Sequence, residues 1–312
     1  MRSLLITVLL ALSGPALARA ADTPAKIAEP AADAPPKVEA PPAEPPVIPA
    51  KAEPSPAQRE LQSLVTCQQK LLAAATKENN PGFDEQNFRA QMQDLCFDYE
   101  TYLKKYPDLA AGYAAYGVLL GKIDMRRQSS AMLLKANQLD PNLPLVKNQL
   151  GNYLAEEGKP LEAVNYFLSA IKLDPNEPLY HYQLGTLLTE ARDDFLKSGE
   201  WKRPALDRAM HEAFRRAAEL APDRIEFTYR YGESFYDLEN PDWDAALRVW
   251  GALEERLKPG LEQETVRLHA ANILIKQGKL DHARALLATV TAEPLAQQRE
   301  KLVAQLPETA KK

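Results

Sequence analysis

Residues 150–176 read LGNYLAEEGKPLEAVNYFLSAIKLDPN. Apolar and small residues recur here at helical spacing, yet Gly151 lies near the start and Pro175 near the end. A glycine inside a helix costs roughly 1 kcal/mol against alanine, so its presence needs a compensating reason. The wider chain supplies one. Pro107, Pro141 and Pro175 are each 34 residues apart, and so are Gly117, Gly151 and Gly185. The next members, Pro222 and Gly232, both come 47 residues on, so the two markers agree on a thirteen-residue insertion between Gly185 and Pro222. A period of this length with two helices per unit predicts stacked helical hairpins.

Each unit carries more than its two markers. Residues 144–177 hold Leu150-Gly151, Leu154, Gly158, Ala163, Phe167, Ala170 and Pro175. Residues 110–143 hold Tyr113, Tyr116-Gly117, Leu120, Ser129, Leu133, Ala136 and Pro141, and residues 178–224 hold Leu184-Gly185, Leu188, Phe214, Ala217 and Pro222. Residues 225–259 and 264–293 follow more loosely, through Tyr231-Gly232, Phe235, Ala246, Trp250 and Pro259, then Ala271, Leu274, Gly278, Ala283 and Leu287. With these positions the chain resembles the tetratricopeptide-repeat family. The resemblance implies an all-α fold, an α-solenoid of helical hairpins coiling into a right-handed superhelix. The physical expectation agrees. Antiparallel helices approach closely where both present small side chains, so Gly151 is expected to face Ala163, with Phe167 filling the gap toward the next hairpin. Pro175 cannot continue the second helix and sets the turn.

Flanking segments complete the stack. Residues 57–78 and 84–106 predict a divergent first hairpin around NNPGF, part of an N-terminal cap over 57–109, and residues 294–306 predict a capping helix before the tail to 312. The insertion, within the stretch RDDFLKSGEWKRPAL, is expected to lengthen both helices of its hairpin, with Gly199 and Pro204 at its tip. Trp201 there either touches a partner or folds back on the hairpin. Cys67 and Cys96 lie on opposite arms of the first hairpin at similar distances from its turn. An oxidising compartment favours a disulfide between them, worth on the order of 3 kcal/mol; the other reading is two buried thiols.

The N-terminus points to that compartment. Residues 1–20 carry Arg2, an apolar run from Leu4 to Leu12, Ser13-Gly14-Pro15 and a closing Ala18-Arg19-Ala20, the order of a secretory signal peptide. The apolar run is about half of the roughly 20 residues a spanning helix needs, and no later segment is apolar enough to span, so a periplasmic or secreted protein is expected. Residues 21–56 contain eleven prolines among Ala, Glu and Lys, which predicts a disordered, extended linker with polyproline II character and a reach approaching ~110 Å at ~3.1 Å per residue. It is either a leader left by export or a spacer. The formal charge of −5 has no single-sign excess that would suggest nucleic acid or a membrane surface as partner.

No catalytic or cofactor pattern accompanies the repeats. His181, His211, His269 and His282 stand outside H-E-x-x-H or C-x-x-C contexts. Neither a phosphate-binding glycine loop nor a G-x-S-x-G elbow occurs. The resemblance implies instead a peptide-binding groove lined by the first helix of each hairpin. Carried onto this chain, the family's groove positions supply Asn148, Asn152 and Glu156; Tyr182, Thr186 and Glu190; Tyr229, Glu233, Tyr236 and Asp237; and Leu268, Asn272 and Lys276. Tyrosine offers area at low entropic cost, and amides pair with backbone groups. The cationic grip on a terminal carboxylate found in one family subtype is absent, since Asn148, Tyr182 and Leu179 hold its positions. The expected partner is therefore an internal protein segment, extended or helical, of basic or apolar character. The expected role is an exported, non-catalytic scaffold in envelope assembly or secretion; an accessory subunit presenting substrate to a separate envelope enzyme is the alternative.

Overall fold

The computed structural model describes residues 53–75 and 84–307. The expected signal peptide, the expected linker up to residue 52, the NNPGF stretch and the tail from residue 308 lie outside the described residues. Among the described residues there are fourteen α-helices and no strand. They are α1 (Pro56–Ala75), α2 (Glu85–Lys105), α3 (Ala110–Lys122), α4 (Arg126–Leu139), α5 (Pro144–Glu156), α6 (Pro160–Leu173), α7 (Pro178–Glu190), α8 (Arg192–Ser198), α9 (Arg203–Leu220), α10 (Ile225–Ser234), α11 (Trp243–Arg256), α12 (Leu261–Lys276), α13 (Leu280–Leu287) and α14 (Ala296–Val303). Short 3-10 turns follow α10 at Phe235–Asp237 and precede α14 at Glu293–Leu295. Successive helices pair as antiparallel hairpins and the hairpins stack, giving an all-α solenoid.

Local chemistry explains the boundaries. Proline opens α5, α6 and α7, where its missing N–H would be unpaired anyway. Gly158 follows α5 with a φ of +74° and closes the helix end, Lys159 donating its N–H to the Leu154 carbonyl. The same place in the preceding unit is taken by Asp124 at φ 62°, a residue whose short polar side chain tolerates the left-handed region. After α4 and α6, Asp140 and Asp174 each accept the N–H two residues on, shaping the turns at Pro141 and Pro175.

The helical glycines do not face the small residues that spacing suggested. A Cβ placed on Gly151 would stand 3.0 Å from the Phe167 ring, not against Ala163. Gly185 meets Phe214 at 2.8 Å, and Gly232 meets Trp250 at 2.6 Å. The reason is volume. Each ring is fully buried and fills the space a methyl group on the facing glycine would need. In the hairpin of α12 and α13, Ala271 takes the glycine's place and the partner is the smaller Leu287.

The insertion also differs from expectation. It does not lengthen both helices. α7 keeps the 13 residues of α5, the chain turns at Ala191, and α8 forms separately; only α9 is extended, to 18 residues. The turn lets Phe195 reach a fully buried slot among residues of α6, α7 and α9. Gly199, at φ 78°, ends α8, and Trp201 folds back edge-on against Phe195 with centroids 5.6 Å apart.

The two cysteines are free, a correction to the expected disulfide. On α1 the inward position is Gln68, which accepts a 2.7 Å hydrogen bond from the buried Tyr99 hydroxyl. Its neighbour Cys67 is thereby left exposed, while Cys96 packs partly buried beside Tyr116 of α3. Burial pushes the Cys96 thiol up from its ordinary range.

Candidate functional site

The first helices α5, α7, α10 and α12, with the 3-10 turn after α10, carry the residues expected to line a groove. Asn148 does not reach the surface. It is fully buried, and neither amide atom has a hydrogen-bond partner. One turn on, Asn152 is half-buried. On α7, Tyr182 tilts against Phe227 with ring centroids 4.6 Å apart and meets Phe214 edge-on at 5.8 Å. Burial pushes its phenol up to about 12. Thr186 donates its hydroxyl proton to the Tyr182 carbonyl at 3.0 Å, and Glu190 is exposed at the helix end.

The next repeat holds an aromatic cluster centred on His269. Its imidazole stacks on Trp250 with centroids 4.3 Å apart and planes 6° from parallel. The Tyr229 hydroxyl lies 2.9 Å from His269 Nε2, and the Tyr236 hydroxyl donates to the His269 carbonyl at 3.1 Å. Burial holds the imidazole far below its ordinary range, at about 4, and pushes the Tyr229 phenol up to about 12. These tyrosines are thus partly committed to the protein's own packing rather than fully presented outward.

The acid cluster is also committed. Glu233 accepts from Arg230 at 2.7 Å, and Asp237 accepts from Arg192 at 2.8 Å. Arg192 lies at the start of α8, so a residue of the insertion neutralises an acid of the following repeat. Its Nε is also 3.4 Å from Asp207 Oδ1, and Arg203 pairs with the same Asp207. The Arg230–Glu233 pair was legible as a three-residue helical spacing. The Arg192–Asp237 pair spans 45 residues and had no sequence signal.

What stays accessible on the first-helix face is mixed: Asn152, Tyr182, Thr186 and Asn272 are half-buried, Glu156, Glu190 and Lys276 are exposed, and Leu268 is buried. Such a surface offers hydrogen bonds and apolar area to a peptide, and among the described residues no cluster of His, Cys, Asp and Glu could hold a metal ion. Among the described residues no helix is long and apolar enough to cross a membrane.

A family model for the tetratricopeptide repeat matches residues 146–177. Among solved structures, the fold is similar to YrrB, described as a TPR protein with an unusual peptide-binding site, at 18% identity and a TM-score of 0.55, covering 66% of this chain and 97% of that one. It is similar also to PilF of Pseudomonas aeruginosa, at 13% identity and a TM-score of 0.55, covering 80% of this chain and 100% of that one. No curated protein matches the sequence. At these identities the structural likenesses establish the fold alone.

Proposed function

Because the fold is a solenoid of helical hairpins, one of which matches the tetratricopeptide-repeat model, we propose that the chain acts as a non-catalytic scaffold holding a segment of another protein against its first-helix face. The observation that carries this reading is the set of half-buried amide, hydroxyl and aromatic side chains at Asn152, Tyr182, Thr186 and Asn272, on the first helices α5, α7 and α12. Asparagine can pair with both a donor and an acceptor of an extended backbone. The ion pairs of Glu233 and Asp237 shift the preferred partner away from a basic segment, since a cation from outside must displace an arginine already in place. An uncharged, partly apolar segment fits better. The order of features in residues 1–20 supports export, and with it a role in the periplasm or outside the cell.

A photo-reactive side chain introduced at position 152 or 186 should cross-link one common partner in the native envelope fraction. The same group at Arg248, exposed on the second helix α11, should not. Equal labelling from all three positions, or labelling from Arg248 alone, sinks the reading.

A further inference from the structure

The second helix of each hairpin turns one row of side chains away from the stack. The buried residues that meet the helical glycines, Leu133, Phe167, Phe214 and Trp250, set a common register. The residue after each of them is Leu134 on α4, Leu168 on α6, Arg215 on α9 and Gly251 on α11, all at the surface. Six places before the reference, Leu161 on α6 corresponds to Arg208 and Asp244 in the later repeats. The fold therefore does not require leucine in this row. Arg215, for example, is held there between Glu212 and Glu219. Yet on α4 and α6 Leu134, Leu161, Leu168 and Leu173 are 45%, 39%, 46% and 39% exposed.

Scattered exposed leucines are ordinary, but a cluster of this kind marks an interaction surface. Tyr166 of α6 packs onto the cluster that includes Leu133 and Ala136 of α4, and α4 and α6 are the second helices of successive hairpins. The charges beside them are unbalanced. Arg126 and Lys159 pair with Glu156 and Glu157, whereas Arg127, Lys135 and Lys172 are exposed and join no ion pair among the described residues. Glu162 is the acid on this face.

The geometry points to the outer face of α4 and α6 as a docking surface for an amphipathic helix with apolar side chains on one edge and carboxylates beside them. Leu161 and Leu168, two turns apart, form the apolar strip that such a helix covers together with Leu134. The three unpaired cations select acidic flanks and exclude basic ones. This surface is on the second helices and is separate from the first-helix face, so one chain can hold two partners at once.

Two synthetic peptides test it. They share leucines at amphipathic helical spacing and differ only in carrying glutamate or lysine on the flanks. By fluorescence anisotropy with the full mature chain, the glutamate peptide is expected to bind about tenfold more tightly than the lysine peptide, and less tightly as salt rises. The double variant Leu134→Lys/Leu168→Lys should bind the glutamate peptide about tenfold more weakly. Both positions are exposed, and an unchanged thermal melt by circular dichroism verifies that the variant folds. The variant Asn152→Ala/Thr186→Ala should bind it as the parent does. Equal affinity for the two peptides, absence of binding, or loss of binding only in the Asn152/Thr186 variant overturns the assignment. So does sedimentation showing that the parent chain self-associates through these leucines, which would make a second copy the occupant.

Discussion

Gly232 and Gly251 look alike in sequence, since both interrupt a helical pattern. Their surroundings differ. A Cβ on Gly232 would stand 2.6 Å from the Trp250 ring, while around Gly251 there is nothing within 4 Å. Trp250 is fully buried and pinned between Tyr229 and His269, so it cannot move aside. Gly232→Ala is therefore expected to lower the unfolding free energy by about 2 kcal/mol, the usual scale of overpacking. Gly251→Ala should raise it by about 0.5–1 kcal/mol by relieving a helical glycine. Urea midpoints of the two variants decide it; shifts of the same sign would refute the packing account. The repeat spacing marked Gly232 as special and left Gly251 unmarked. The identity of its partner was not legible, because spacing reports that two helices come close but not which side chain occupies the gap. The same limit hid the burial of Asn148, whose groove position implied exposure and whose neighbours enclose it instead.

At the scale of elements, the insertion is the part that departs from the repeat. Its length and position were readable from the jump of 47 residues between markers. Its form was not. α8 exists as a separate helix because Phe195 has a core slot to fill and Arg192 has two carboxylates to meet, one on α9 and one after α10. Asp207 is almost wholly buried, so the loss of Arg192 leaves it with Arg203 alone. Removing one member of a buried ionic group costs about 3–5 kcal/mol, and the half-open setting of Arg203 puts Arg192→Ala near the lower end. Arg89→Ala, which breaks an exposed pair with Glu85 on one helix, should cost under about 0.5 kcal/mol. Chemical denaturation of both variants checks the contrast, and similar losses would mean that the buried network contributes little.

Across the whole stack, His211 and His269 lie inside the junctions around the repeat of α10 and α11. His211 sits 2.8 Å from the Ser234 hydroxyl and packs edge-on to Phe235; His269 stacks on Trp250. Burial lowers the pKa of both, that of His269 from 6.5 to about 4. A group whose folded value lies below its unfolded one binds more protons when unfolded. Its contribution is complete above about pH 6.5 and is lost as the pH falls toward 4. The chain should thus unfold more readily at pH 5 than at pH 7, and His269→Gln should lose part of that dependence. Urea midpoints at the two pH values measure it; an unchanged pH dependence in the variant would show that His269 is not responsible. The sequence placed His211 and His269 on repeat helices without indicating that both are enclosed.

The amino-acid sequence by itself determined that the chain is a stack of helical hairpins, because a fixed period of glycine and proline constrains backbones directly: one permits close approach and the other forbids continuation. It determined the place of the irregular unit for the same reason. Only the tertiary structure decided which of the expected groove positions are open, that Glu233 and Asp237 are already paired, that Cys67 and Cys96 are free, and that leucines of α4 and α6 are exposed. Those facts depend on which side chains from different repeats meet. Contacts of that kind are set by the volumes and charges of residues far apart in the chain, and a periodic pattern carries no record of them.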